Sequence, residues 1–308
     1  MSIRALPKNL QKLAETELNE VPDRVNEDVL KIREWLKYQP HLNARLDDQW
    51  LLSFLRGSKF SLEKTKQKIE CYYTYRNLVP EFLQNRDPLL PEIQQILDQG
   101  CYWVPFPKDK SIEIPRVLYL SCDSIDSKDI HIANVMKVNF MVLDILMHED
   151  DEFIISGHQL FINLKGTNMN HVMQITPGFV KKCVVCLRDA YPLRSKQTHL
   201  INVPNTIQTI VKPFFSGKFL QRIKIHDSSS FEELHRVLPK SILPKEFKGD
   251  AGTLQDLKDE WKRKIESYRI WFLNDQRYCS NESKRVGKPR TASDVFGIEG
   301  SFRKLEFD

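Results

Sequence analysis

Four kinds of side chain in this sequence could do chemistry, and their spacing decides which chemistry is open to them. Cys183 and Cys186 form one CxxC, a spacing that suits a metal or a redox pair. No second pair accompanies it, and the surrounding "MNHVMQITPGFVKKCVVCLRDA" has a helical pattern, so the two read as buried thiols one turn apart. His148 stands beside "EDDE", which offers metal-ligand types but reads as a solvated helix end running into a loop. His199 lies inside the apolar run "THLINV" and reads as a core histidine rather than a base. No GxGxxG follows a strand, and neither GxxxxGK[ST] nor GxSxG occurs. Nothing assembles a nucleophile, a base and an orienting group. An enzyme is not expected, and neither a metal nor a cofactor is called for.

The fourth kind is cationic. Arg194 and Lys196 stand two residues apart in "YPLRSKQTHLINVP" (191–204), just before an apolar run. Lys212, Lys218 and Arg222 then punctuate the Ile, Val and Phe of "NTIQTIVKPFFSGKFLQRIKIH" (205–226). Over the whole chain 46 basic residues face 41 acidic ones, a net +5. That is too mild for a protein coated in nucleic acid, and it suits a local patch facing an anionic surface.

The elements that must hold these groups change style along the chain. In "DRVNEDVLKIREWLKYQP", Val25, Val29, Ile32 and Leu36 recur at helical spacing up to Pro40. "DDQWLLSFLRGSKF" predicts a second helix closing near Gly57, Ser61 an N-cap for "LEKTKQKIECYYTYRNLV", and Gly100 the C-cap of "PEIQQILDQG". From about residue 101, short apolar runs at 116–122, 158–164, 198–203 and 222–227 alternate with helical patterns at 129–150, 169–190 and 204–221. Such alternation predicts an α/β fold with a mostly parallel sheet and crossover helices. In 204–221, Ile207, Ile210, Val211 and Phe214 share a face and Pro213 breaks the ladder, so two short helices with a kink are expected. By pattern alone this is a crossover packed on its own sheet. One helix follows the Pro/Gly-rich "LPKSILPKEFKGDAG", and the last 30 residues are polar and expected to be loose, with "VFGIEGSF" able to dock. Six cysteines without a framework spacing point to a reducing, cytoplasmic setting. The charged start lacks the apolar stretch of a signal peptide, and no run approaches the ~20 apolar residues of a span, so membrane contact is expected to be peripheral.

Four blocks, "QWLLSFLRGSKFSLEKTKQKIECYYTYR", "QITPGFVKKCVVCLRDAYPLRSKQTHLIN", "IVKPFFSGKFLQRIKIH" and "LPKSILPKEFKG", occur in an order that resembles the CRAL-TRIO (Sec14-like) lipid-binding family over residues 25–250. The likeness is strongest to the branch that carries tocopherol and retinaldehyde. It implies a helical unit over 1–95, a lipid-binding lobe over 96–255 with a cavity closed by a gate helix, and a C-terminal helix and tail over 256–308. The gate would span roughly 202–225 and include Ile207, Ile210, Val211, Phe214 and Phe215, its surface both a cavity lid and a membrane-facing edge. Phosphoinositide headgroups would be gripped by Arg194, Lys196, Lys218 and Arg222, with Arg56 as a further candidate. Cavity positions matched to the family are Phe140, Asp144, His158, Cys183, Cys186, Leu187, Tyr191 and Thr198. The family's "DLEG" and "EYGG" read "NLKG" (163–166) and "EFKG" (246–249) here.

The resemblance therefore implies a cytosolic carrier of a hydrophobic lipid, tocopherol- or retinoid-like, that exchanges cargo with phosphoinositide-bearing anionic membranes and binds no nucleic acid. The alternative is a sensor that presents lipid to a partner protein without bulk transfer. Four cations at about 1 kcal/mol each near an anionic leaflet give roughly 4 kcal/mol, which docks a protein reversibly without anchoring it.

Overall fold

The computed structural model describes residues 3–109, 111, 114–121, 130–167, 169–204, 217, 221–227 and 231–297. Helices come first. Helix α1 (Lys8–Leu18) ends at Asn19, which takes the left-handed conformation at φ 60°. In α2 (Val25–Lys37) the expected stripe of Val25, Val29, Ile32 and Leu36 is buried. The side chain of Asp47 caps α3 (Asp48–Gly57) by accepting from Trp50 N, and that of Ser61 caps α4 (Leu62–Leu78) by accepting from Lys64 N. Short α5 (Pro80–Leu83) and α6 (Pro91–Gln99) follow, the latter closed by Gly100 at φ 62° as expected.

The α/β lobe is one sheet in the order β1-β2-β3-β4-β5. Strand β1 (Val104–Pro105) runs antiparallel to β2 (Arg116–Ser121) at the edge. Helices α7 (Ile132–Glu149) and α8 (Asp151–Ser156) lead to β3 (His158–Asn163). Helices α9 (Met169–Gln174) and α10 (Pro177–Val185), with a π-helical turn at Cys186–Ala190, lead to β4 (Ser195–Ile201). Strands β2 to β4 and β5 (Ile223–Ile225) are parallel to one another. The helical pattern expected over 169–190 divides in two because Thr176 caps a new start, accepting from Phe179 N, and Pro177 occupies the first helical position.

Parallel strands laid down in one direction with right-handed crossovers put their helices on the same side of a sheet. The other face carries Tyr119 and Phe161, whose rings meet Phe106 and Phe247 at centroid distances of 4.9–6.1 Å apart from a wider Phe106–Phe247 contact. This aromatic layer covers that face over β2 and β3.

The C-terminal region holds α11 (Glu232–Val237), α12 (Leu254–Ser267), α13 (Arg269–Asp275) and α14 (Ala292–Phe296). The expected single helix over 253–275 breaks at Tyr268. The expectation of a loose tail fails over 278–294, while the start of "VFGIEGSF" does dock. Leu42 and Ser280 form an isolated antiparallel bridge, and Asn281 N donates to His41 O at 2.7 Å. Arg285 pairs with Glu70 at 2.5 Å, and Phe296 is buried against Tyr75. Polarity misleads here because the tail is held by the ion pair from Arg285 to the buried Glu70 and by backbone hydrogen bonds rather than by an apolar stripe. The main hydrophobic core runs from Val25 to Phe296.

Candidate functional site

The turn at 191–194 carries Arg194 and enters β4, whose second residue is Lys196. Two glycines let it sit close to the rest of the molecule. A Cβ on Gly57 would lie 2.2 Å from Pro192 O, and one on Gly157 (φ +82°) would lie 2.3 Å from Arg194 O. Lys68 of α4 donates to the carbonyls of Arg188 (2.6 Å) and Tyr191 (2.9 Å), and burial pulls its pKa down to about 8. Arg194 then donates its guanidinium to Ile155 O and to the Glu17 carboxylate. Lys196 Nζ lies 3.3 Å from the same Glu17 oxygen. Arg222 is exposed, with Nη1 3.5 Å from Ser195 O, and its own carbonyl accepts from Thr198 N at 2.9 Å. Arg194, Lys196 and Arg222 thus meet at the starting ends of β4 and β5 and form a basic rim. Lys218 lies outside the described residues. Glu17 had no signal in the sequence, since its partners stand more than 170 positions away.

Arg56 does not join the rim. Its guanidinium is buried, with Nε 2.9 Å and Nη2 3.2 Å from the Glu20 carboxylate and Nη1 2.9 Å from Asp151. It lies on the inner face of α3, where a charge persists only with carboxylates around it.

The sheet face opposite the aromatic layer carries two rows of cross-strand neighbours. One is Leu118, Leu160, Thr198 and Ile223; the other is Leu120, Ile162, Leu200 and Ile225. Leu118 is fully buried, but Leu120, Leu160, Ile162, Leu200 and Ile223 are only half-buried, and Ile225 is 52% exposed. Apolar side chains in register on one face normally disappear under a neighbouring layer. Thr198 stands among them, buried. His158 begins the same face and stacks on Phe153 at 5.5 Å; burial pushes its pKa down to about 4. Its Nδ1 and the Tyr191 hydroxyl, both buried, find no hydrogen-bond partner among the described residues.

The remaining cavity candidates divide. Phe140 is buried between Phe82 (5.9 Å) and Tyr191 (5.1 Å), and Phe82 carries the aromatic run on to Phe179 of α10 (5.4 Å). Cys186 is buried, while Cys183 and Leu187 are half-buried. Burial raises both thiols, which keeps them protonated. Among the described residues no three His, Cys, Asp or Glu side chains are grouped to hold a metal ion. The gate positions Ile207, Ile210, Val211, Phe214 and Phe215 lie outside the described residues.

Asp144 is the clear correction. Its carboxylate does not look for a lipid partner. It pairs with the Arg86 guanidinium and accepts from the Tyr72 hydroxyl at 2.9 Å. Asp275 of α13 then takes Arg86 (2.5 Å), Arg76 (2.6 Å) and Arg45 (2.7 Å). Burial would raise the Asp275 pKa, but Arg76, Arg86 and Arg45 outweigh it and hold the carboxyl below its usual value. The network joins α4, the loop after α5, α7 and α13 in the interior. Helical spacing puts an acid on the inner face of α7; only the fold supplies its arginines.

A helical unit leading into a mostly parallel sheet, with one aromatic-packed face and one incompletely covered apolar face, defines an α/β lobe. Residues 110–249 match the CRAL/TRIO domain family, and residues 21–93 match the Pinta-like, UBA domain family. The chain is 30% identical over 257 residues to an alpha-tocopherol transfer protein-like protein of Homo sapiens, covering 81% of this chain and 72% of that protein. It is 28% identical over 316 residues to Clavesin-1 of Rattus norvegicus, covering 97% and 87% respectively. The crystal structure of Sfh5 superposes with a TM-score of 0.45 at 10% identity, covering 87% of this chain and 99% of that one. The chain belongs to the CRAL/TRIO family, the lipid-binding family its sequence resembles. No helix among the described residues is long and apolar enough to cross a membrane.

Proposed function

We propose that this chain is a non-enzymatic carrier that holds one hydrophobic small molecule, tocopherol- or retinoid-like, against the Leu/Ile face of its sheet and exchanges it with phosphoinositide-bearing membranes. The observation that carries the reading is the pair of in-register apolar rows left half-covered from β3 to β5. Burying ~15 methylene equivalents of cargo there is worth on the order of 12 kcal/mol against water. A bilayer offers nearly the same, so the chain serves as a dry container between membranes rather than a sink. Tyr191 and His158 each keep a buried polar atom without a partner among the described residues, which suits a hydroxyl or carbonyl on an otherwise apolar cargo. In this reading residues 1–95 are the helical unit, 96–255 the lipid-binding lobe and 256–308 the C-terminal helix and tail.

The basic rim supplies docking. Arg194, Lys196 and Arg222, with Lys218, would grip phosphates, for which an arginine fork and a lysine point charge are both suited. This makes the carrier a cytoplasmic protein that visits membranes reversibly. The test is transfer of a fluorescent tocopherol or retinoid analogue between donor and acceptor vesicles. Transfer that quickens when the acceptors contain phosphatylinositol phosphates supports the reading. Binding of the analogue with no transfer at any protein concentration would favour the sensor instead.

A further inference from the structure

Glu17 stands between the two cations on which docking depends. Its single carboxylate oxygen Oε2 accepts from the Arg194 guanidinium and faces Lys196 Nζ at 3.3 Å. The helix that carries it is a separate small unit. Ala14 and Leu18 pack with Ile155 in an apolar cluster apart from the main core, with Leu6, Leu10 and Leu13 against it. Three residues beyond Glu17, the buried Glu20 carboxylate is gripped by Arg56. Arg56 therefore fixes the end of α1 and with it the reach of Glu17. Glu17 itself is half-exposed, with 41% of its side chain accessible, so an incoming anion can take its position without disturbing that buried pair. The hydrogen bond from Arg194 lowers the Glu17 pKa, burial opposes it, and Lys196 adds to the lowering; the group is ionised at neutral pH.

We propose that Glu17 is an intramolecular competitor that occupies the anion position of the basic rim and so restrains docking on weakly anionic membranes. The proposal rests on the reading of the rim as a headgroup site. A lipid with one phosphodiester charge replaces one anion by another and gains little. A phosphomonoester brings a charge of about −1.5 to −2 and three acceptor oxygens, enough to engage Arg194 and Lys196 together. The occupant is thus a lipid surface bearing phosphomonoesters, and Glu17 sets how much charge that surface must present.

The experiment is flotation with vesicles of phosphatidylcholine containing either phosphatidylinositol bisphosphate or phosphatidylserine at matched total charge. The proteins are the full chain, Glu17→Gln, Lys196→Ala, the Arg194→Ala/Lys196→Ala pair, and the pair combined with Glu17→Gln. Glu15→Gln serves as the charge control, because Glu15 is exposed on the same helix and among the described residues accepts from Gln11 one turn away. Glu17→Gln is expected to raise affinity about fivefold on both vesicles, the worth of one charge at a membrane surface. Glu15→Gln should move it less than twofold, and the Glu17→Gln gain should vanish when Arg194 and Lys196 are absent. A gain that persists without the two cations, or that Glu15→Gln reproduces, overturns the competitor and leaves only general charge. No gain from Glu17→Gln, while the double alanine loses binding, overturns the competitor and leaves the rim intact. A double alanine, or Lys196→Ala alone where the pair fails to fold, that binds bisphosphate vesicles as the unaltered chain does overturns the rim and the competitor with it.

Discussion

Arginine meets carboxylate in two regions of this molecule, and the two meetings do different work. Inside, Arg45, Arg76 and Arg86 share Asp144 and Asp275, with Arg86 fully buried and each carboxylate saturated. At the starting ends of β4 and β5, Arg194 and Lys196 share Glu17, with the Glu17 and Lys196 side chains about two-fifths in water and Arg194 largely covered. The chemistry is the same; the surroundings decide the role. A buried pair cannot exchange its partner, because breaking it leaves a naked charge in the interior. A half-exposed pair can, because water screens the broken state. The interior network therefore locks the helical unit, the lobe and the C-terminal helix together, whereas the proposed role of the outer cluster is to trade Glu17 for another anion.

The sharpest way to break this contrast is Asp144→Ala. Removing one carboxylate from the buried network should cost about 3–5 kcal/mol of stability, read as a lowered urea midpoint. A change under about 1 kcal/mol would mean that the network is dispensable.

Acid provides the next largest effect. His158 is held neutral by burial, with its folded pKa lowered to about 4 from an ordinary 6.5, and His199 is lowered to about 4 as well, by burial first and then by His226 and Lys224. Such groups contribute fully above pH 6.5, where both states are neutral. Their contribution falls as the unfolded chain takes up protons between pH 6.5 and 4. For His158 the loss reaches on the order of 3 kcal/mol at pH 4. His158→Gln should flatten that part of the pH profile of the urea midpoint. The lowered Asp275 makes the network last longer. Its contribution is complete above the usual aspartate value and is lost only as pH falls through the lower folded one.

Gly157→Ala sharpens the outer side of the comparison. A Cβ 2.3 Å from Arg194 O, at φ +82°, should cost about 1–3 kcal/mol and displace the turn that presents the basic pair, weakening vesicle binding along with stability. The Arg194→Ala/Lys196→Ala pair should act the other way round. Stability should fall by about 1–2 kcal/mol, since Arg194 is largely covered and also donates to Ile155 O, while binding to phosphoinositide vesicles is lost. Equal losses in both would make the rim a structural pair like the interior one.

The same contrast explains what could be read from the chain. Local signals held: the Val25, Val29, Ile32, Leu36 stripe, the Ser61 cap, the Gly100 stop and the strand–helix alternation all depend on neighbours within a turn or two. Long-range pairings did not. Arg56 was expected on the rim and Asp144 in a cavity, but their roles depend on Glu20, Asp151, Arg86 and Tyr72, which only the fold brings to them. The tail misled for the same reason, because Arg285 is silent until Glu70 stands opposite it. Thr198 and His158 are on the apolar sheet face because period-two spacing places them there once the strand is known.

The central claim is that the Leu/Ile face from β2 to β5 holds a lipid. Native mass spectrometry of the protein purified from its own cells tests it most directly. The account predicts one small hydrophobic molecule per chain, retained in gentle ionisation and released on unfolding. A chain that carries no adduct as purified, and takes up none after incubation with tocopherols, retinoids and phospholipids, would contradict it.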